Sequence, residues 1–160
     1  MSQHVLYVCI LAAAVGSGLV AGIFFGFSSF VMRALGRLSA GNGIAAMQSI
    51  NIVVINPIFM LAFMGTGVIC LVLSIGAYSW WIGMQGRGLI AIAGILYVFG
   101  CIGVTMRCNV PLNNALAAAQ PESPQAAELW TRYLRDWTFW NHVRTLASLI
   151  ASILFIVVLT

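Results

Sequence analysis

The sequence predicts an all-α fold, an integral membrane antiparallel four-helix bundle, and three observations predict it. Apolar residues make up 62% of the 160-residue chain, and only 6% are charged. A soluble domain carries about a quarter charged residues, so this composition suits a surface facing lipid rather than water. The apolar residues fall into four long runs. The polar and charged side chains gather between those runs, mostly at one end of the bundle they would form. The length suits a single compact bundle, and the chain is read as one transmembrane domain over 1–160.

The first run spans about residues 5–32 and ends at Arg33 and Arg37. The N-terminus Met1-Ser2-Gln3-His4 has no positive n-region, and the run after it is too long for the core of a signal peptide, so it is read as a retained spanning helix. Asn42 is placed as the cap of a short amphipathic helix through Ile44, Met47 and Ile50. The second run covers about 56–78. Trp80 and Trp81 follow in a short loop and suit a headgroup interface. The third covers about 88–109, its helix continuing past Pro111 to about Ala119. Pro121-Glu122-Ser123-Pro124 is the clearest break. Ser123 as N-cap and Pro124 at the first helical position start an amphipathic helix over about 124–137. That helix leads into the fourth span, about 138–159. Each run has roughly 20 residues or more, enough to cross about 30 Å of hydrocarbon.

Arginine sets the expected orientation. Arg33, Arg37, Arg107, Arg132 and Arg135 lie at the first and third loops, and only Arg87 lies opposite. The positive-inside rule puts the first and third loops in the cytoplasm and both termini outside, in a bacterial inner membrane. The net charge of +4 carries no lysine and no basic run, so nucleic acid is not an expected partner. The lipid bilayer is. Cys9, Cys70, Cys101 and Cys108 form no paired motif, and neither a metal site nor a disulfide framework is expected. Gly18, Gly22 and Gly26 make a small-residue stripe that lets another helix approach. It serves packing inside the chain or, as the alternative, a homo-oligomer seam.

The distribution of polar residues is the most informative feature. Ser28, Ser29 and Arg33 end the first span. Asn51 and Asn56, with Pro57, open the second. Arg107, Asn109, Asn113 and Asn114 end the third, and Trp137, Asn141, His142, Arg144 and Thr145 open the fourth. All fall at one end of an up-down bundle. At about 100° per residue, Trp137, Asn141, Arg144, Thr145, Ser148 and Ser152 share a face. A snorkelling Arg144 would reach the headgroups. The amide and indole on its own face favour an interior position, where an intramembrane charge marks a functional site. Asn109 and Asn113 share a face four residues apart, and Pro111 between them frees the carbonyl of Arg107. Each Asn taken singly is helix-to-helix glue; together with Arg144 they outline a ligand pocket. His142 is a candidate acid–base residue, although it points away from the Asn141–Arg144 face, towards Thr138 and Arg135. Glu128, Arg132 and Asp136 stand four apart in turn and are expected as an exposed salt-bridged face.

Asn109-Val110-Pro111-Leu112-Asn113, followed by Trp137-Thr138-Phe139-Trp140-Asn141-His142-Val143-Arg144-Thr145, resembles the anthrone oxygenase-like family of small membrane proteins. Phe25-Gly26-Phe27-Ser28-Ser29-Phe30 and Asn56-Pro57 fit the same pattern. Most bacterial members have no known function, and a few fungal relatives oxidise anthrones to anthraquinones with dioxygen, without metal or flavin. The resemblance implies Asn109, Asn113, Trp137, Asn141 and Arg144 as pocket residues, no cofactor, and a small hydrophobic aromatic ligand. With the reading of the residues themselves, the catalytic candidates are Arg144, Asn141 and His142, and the substrate-binding ones Asn109, Asn113, Trp137 and Asn56. The expected function is a cofactor-independent oxygenase of anthrone-like or other hydrophobic aromatics. The alternative is a non-enzymatic protein that binds a small molecule, haem or quinone, or an accessory subunit of a membrane complex. A transporter ranks last, since no acid lies within a span and no inverted repeat is visible.

Overall fold

Long apolar segments without water must satisfy their backbone internally, which makes helices of all four runs. The computed structural model describes residues 3–79, 85–123 and 125–160. In it the four described helices long and apolar enough to cross a membrane are α1 (Gln3–Leu35), α3 (Pro57–Tyr78), α4 (Arg87–Ala117) and α5 (Ala126–Leu159). The short α2 (Ala40–Val53) lies between the first two. No strand occurs among the described residues. The fold is the expected all-α bundle, consistent with an integral membrane protein. Trp80, Trp81 and Pro124 lie outside the described residues.

Paired contacts give the antiparallel register. Along α1 and α5, Ser152 donates to the Ala14 carbonyl (2.8 Å) while Asn141 donates to the Phe24 carbonyl (2.8 Å). Tyr97 of α4 donates to the Phe63 carbonyl of α3, and Ser74 of α3 to the Ala91 carbonyl of α4. Apolar side chains cover the outside. Ile58 is 84% exposed and Leu61 75%, which in a bilayer is contact with acyl chains rather than an aggregation liability.

Two apolar clusters fill the inside. One, around Ile10, Val20, Phe24, Leu73, Ile90, Tyr97 and Phe155, lies among the spans. The other, around Leu35, Ile44, Met47, Leu116, Trp130, Tyr133 and Trp137, lies under α2. α2 closes the polar end because Gly43 rests on the Trp130 indole; a Cβ there would stand 2.6 Å from Trp130 Cζ2.

Several boundaries differ from the sequence expectation. α1 continues past Met32 to Leu35. The N-cap position of α2 is Ser39, so Asn42 sits inside the helix rather than at its start. The Ser39 carbonyl already accepts the Gly43 N–H (2.9 Å), which fixes the start three residues earlier. α5 begins at Ala126, whose N–H bonds the Ser123 carbonyl in a preceding turn. The expected Glu128–Arg132–Asp136 ladder is replaced by an Arg135–Asp136 pair, Nε to Oδ1 2.7 Å, the one ion pair among the described residues. Exposed charges choose among near neighbours at little energetic difference. Of the glycine stripe, Gly18 faces Ser152 of α5, Gly26 meets only Phe30 of its own helix, and nothing stands within 4 Å of a Cβ at Gly22.

Three of the four spanning helices widen into π turns, at Phe27–Val31 in α1, Leu61–Gly65 in α3, and Leu96–Gly103 with Thr105–Asn109 in α4. The last of these ends two residues before Pro111, which has no N–H to give the ladder. Such turns insert an extra residue per turn and are common at functional sites. Here Phe27, Phe63, Met64, Thr105 and Met106, one or more from each widened helix, line a single cavity.

Candidate functional site

The cavity has a volume of about 270 Å³ and lies where the two apolar clusters meet. Its wall is mostly apolar, with aromatic and methionine side chains that include Phe24, Phe27, Phe59, Phe63, Met47 and Met60. The polar side chains on the wall are Asn51, Thr105, Asn113 and Arg144. A mainly apolar hollow with a few converging polar groups is the usual form of a small-molecule site. Ile55, Met64 and Met106 belong to this wall and are also 72%, 43% and 62% exposed on the apolar surface. The cavity therefore opens sideways onto the lipid-facing surface.

Arg144 is 5% exposed. Its Nε donates to Asn141 Oδ1 (3.0 Å) and its Nη1 to Thr105 Oγ1 (3.3 Å). Its guanidinium carbon lies 4.0 Å from the Phe24 ring centroid and 4.7 Å from that of Trp137, within cation–π range. Asn141 is fully buried and spends its Nδ2 on the Phe24 carbonyl and on Ser28 Oγ (2.7 Å). Thr145 donates to the Asn141 carbonyl (2.6 Å) and meets Ser28 Oγ at 3.3 Å. The cation is thus held by neutral groups from α1, α4 and α5.

The Asn-x-Pro-x-Asn segment faces the same helix. Asn109 donates to the Trp137 carbonyl (3.1 Å), and its buried Oδ1 takes no donor among the described residues. Asn113 Oδ1 accepts from both Tyr133 Oη and Trp137 Nε1, each at 2.8 Å. Both acceptances orient the Asn113 amide, whose Nδ2 has no protein partner among the described residues. Trp130, Tyr133 and Trp137 form a stacked ladder along α5, with centroids 5.7 and 5.9 Å apart. Phe27 of α1 leans on Trp137 at 5.6 Å. The aromatic spacing of three and four residues along α5 was the available signal for Trp130 and Tyr133, which sequence reasoning did not single out. Phe24 and Thr105 gave no signal of their own.

The structure thus brings Arg144, Asn141, Trp137, Asn109 and Asn113 together, with Arg144, Trp137 and Asn113 on the cavity wall and Asn141 and Asn109 buried behind it. It keeps two candidates apart from them. Asn56 caps α3: its Oδ1 accepts the Phe59 N–H (3.0 Å) and its Nδ2 donates to the Val53 carbonyl (3.0 Å). It is not part of the cavity wall. His142 is exposed and lines a different hollow, an outer groove between α1 and α5 with Phe25, Ser28, Ser29, Thr145 and Leu146. Helical periodicity accounts for this, since residue 142 stands about 100° from 141 and about 200° from 144. No group of three or more His, Cys, Asp or Glu side chains comes together among the described residues.

Comparison with known proteins gives one match. The family model described as anthrone oxygenase matches residues 59–154, more than half of the chain, and takes in α4 and most of α3 and α5. No curated protein and no solved structure matches. The Phe25–Phe30 segment and Asn56-Pro57 precede the matched region, whereas Asn109, Asn113, Trp137, Asn141 and Arg144 all fall within it. By this match the chain belongs to the anthrone oxygenase family.

Proposed function

We propose that the protein is a membrane-embedded oxygenase that oxidises a hydrophobic aromatic of the anthrone type with dioxygen, using no metal or flavin. The observation that carries this is Arg144, a buried cation among aromatic rings on the wall of a cavity that opens onto lipid. An anthrone methylene that has lost its proton is a delocalised anion with charge on the ring oxygen. A fixed guanidinium near that oxygen stabilises the charge where water is excluded. The carbanionic carbon gives its electrons to dioxygen and forms a carbon–oxygen bond. Protonation yields the hydroperoxide, and loss of water leaves the ketone. One dioxygen is consumed, one of its oxygens stays in the quinone, and the other leaves as water. Trp137 and Phe27, both on the wall, pack against the substrate, and Asn113 offers its free Nδ2–H groups.

For placement, we propose a bacterial inner membrane with the first and third loops in the cytoplasm and the termini outside. Arg33, Arg37, Arg107, Arg132 and Arg135 are exposed at the cavity end, with Arg87 alone at the other, which is the asymmetry the positive-inside rule uses.

The test is dioxygen uptake by the detergent-purified protein with anthrone, beside Arg144→Gln. Uptake above the spontaneous rate, one dioxygen per quinone formed, supports the proposal. Wild-type uptake equal to that of the variant or of buffer rejects it. An absorption spectrum of the same sample with a Soret band turns the reading to the haem-binding alternative.

A further inference from the structure

Arg144 is the one cation on the cavity wall, and no described residue neutralises it there. The sequence has only three carboxylate side chains, Glu122, Glu128 and Asp136. Glu122 and Glu128 are exposed, and Asp136 pairs with exposed Arg135 on the outside of α5. None lines the cavity. A buried charge ordinarily has a counter-ion. This one has an amide oxygen, a hydroxyl and two ring faces. The open space beside it is the cavity, whose wall carries Arg144.

The same wall lacks any side chain that takes up a proton near neutral pH. Its polar members are two amides, a hydroxyl and the guanidinium. Tyr133 on its own helix and Cys101 on α4 are buried and bear on Arg144, but neither lines the cavity and neither is a base. α1, α2 and α3 contribute no titratable side chain to the wall. His142, the one histidine at this end, lies in the outer groove.

We infer that the cavity selects the ionised form of a phenolic or enolic aromatic, and that the ligand's own acidity, not a protein base, supplies that anion. For the identity of the natural ligand the inference rests on the oxygenase reading; for binding it rests on the geometry of Arg144. The pocket is a receptor for an aromatic oxyanion. It shifts the ligand's ionisation by binding only one of its two forms, and a proton is released to solvent for each neutral molecule that binds.

The experiment uses ligands that are not oxidised at a methylene, so that binding is read apart from turnover. 2-Naphthol, its more acidic 6-cyano derivative and naphthalene are titrated into the full-length protein in neutral detergent, across a pH series, with tryptophan quenching as the signal. Below each naphthol's own pKa, affinity rises about tenfold per pH unit and then levels off. The midpoint moves to lower pH for the cyano compound. Naphthalene binds weakly and without pH dependence. Arg144→Gln lowers plateau affinity for both naphtholates about tenfold or more and flattens the profile. Midpoints that coincide for the two naphthols overturn the inference, because a protein group is then titrating. Naphthalene binding as tight as naphtholate overturns it as well. Anthrone-dependent uptake without naphtholate selectivity rejects this inference and leaves the oxygenase reading standing. Naphtholate selectivity without uptake does the reverse.

Discussion

Asn141 and Arg144 form the joint on which the site turns: Asn141 Oδ1 accepts the Arg144 Nε–H at 3.0 Å while Asn141 Nδ2 donates to the Phe24 carbonyl at 2.8 Å. One amide therefore aims the cation and ties α5 to α1. Asn141→Ala leaves the Arg144 Nε, the Phe24 carbonyl and Ser28 without this partner. The expected cost is ~1–2 kcal/mol, read as a lower midpoint in thermal or denaturant unfolding in detergent. A midpoint equal to wild type would mean that the amide bears no load.

Arg144→Lys keeps the charge and loses the planar fork that reaches Asn141 and Thr105 together. Anthrone-dependent dioxygen uptake is expected to fall about 10²-fold, with the protein still folded by circular dichroism. Full activity in the lysine variant would show that charge alone suffices.

Tyr133→Phe removes the hydroxyl that shares the Asn113 Oδ1 acceptor with Trp137 Nε1 but keeps the ring in the Trp130–Trp137 ladder. The expected loss is about 1 kcal/mol of stability. A changed tryptophan emission, from an indole less firmly held, should accompany it. Tyr133→Ala should cost clearly more, because it also opens a gap between two rings.

His142 separates two views of the catalytic set. It is exposed in the outer groove and does not line the Arg144 cavity. His142→Ala is expected to leave uptake within about twofold of wild type, as substitutions away from packed sites usually do. A large loss would move the chemistry to the outer groove.

Gly43→Ala is expected to destabilise the polar end by ~1–3 kcal/mol. A Cβ at this position would meet the Trp130 indole at 2.6 Å, so α2 or the indole must shift. Faster proteolysis within α2, beside unchanged cleavage elsewhere, would localise the effect.

Much of this was legible in the sequence because two simple regularities carried it. Apolar run length marked the spans, and the helical period put Trp137, Asn141, Arg144, Thr145, Ser148 and Ser152 on one buried face. Asn109 and Asn113 faced a common neighbour as their spacing implied. What stayed hidden depends on the register between helices. No local pattern says that Tyr133 reaches Asn113, or that Phe24 lies over Arg144. The π turns add residues to a turn without a clear signature, so they shift which face a side chain takes. Asn56 read as a ligand residue because Asn is equally suited to pockets and to caps, and its place one residue before Pro57 decided for the cap.

Ile55, Met64 and Met106 are at once cavity wall and outer surface, and this fixes the units in which the protein meets its ligand. The neutral form of a molecule that enters through that opening is sampled from the hydrocarbon phase, and its proton is lost on binding. Occupancy then follows the ligand's mole fraction in the lipid, not its molarity in buffer. Adding more lipid or detergent at constant protein and constant ligand dilutes the reactants in two dimensions and slows the reaction. Adding more buffer leaves it nearly unchanged for a ligand that stays in the bilayer. Potency among such ligands is ordered by partition as well as by fit.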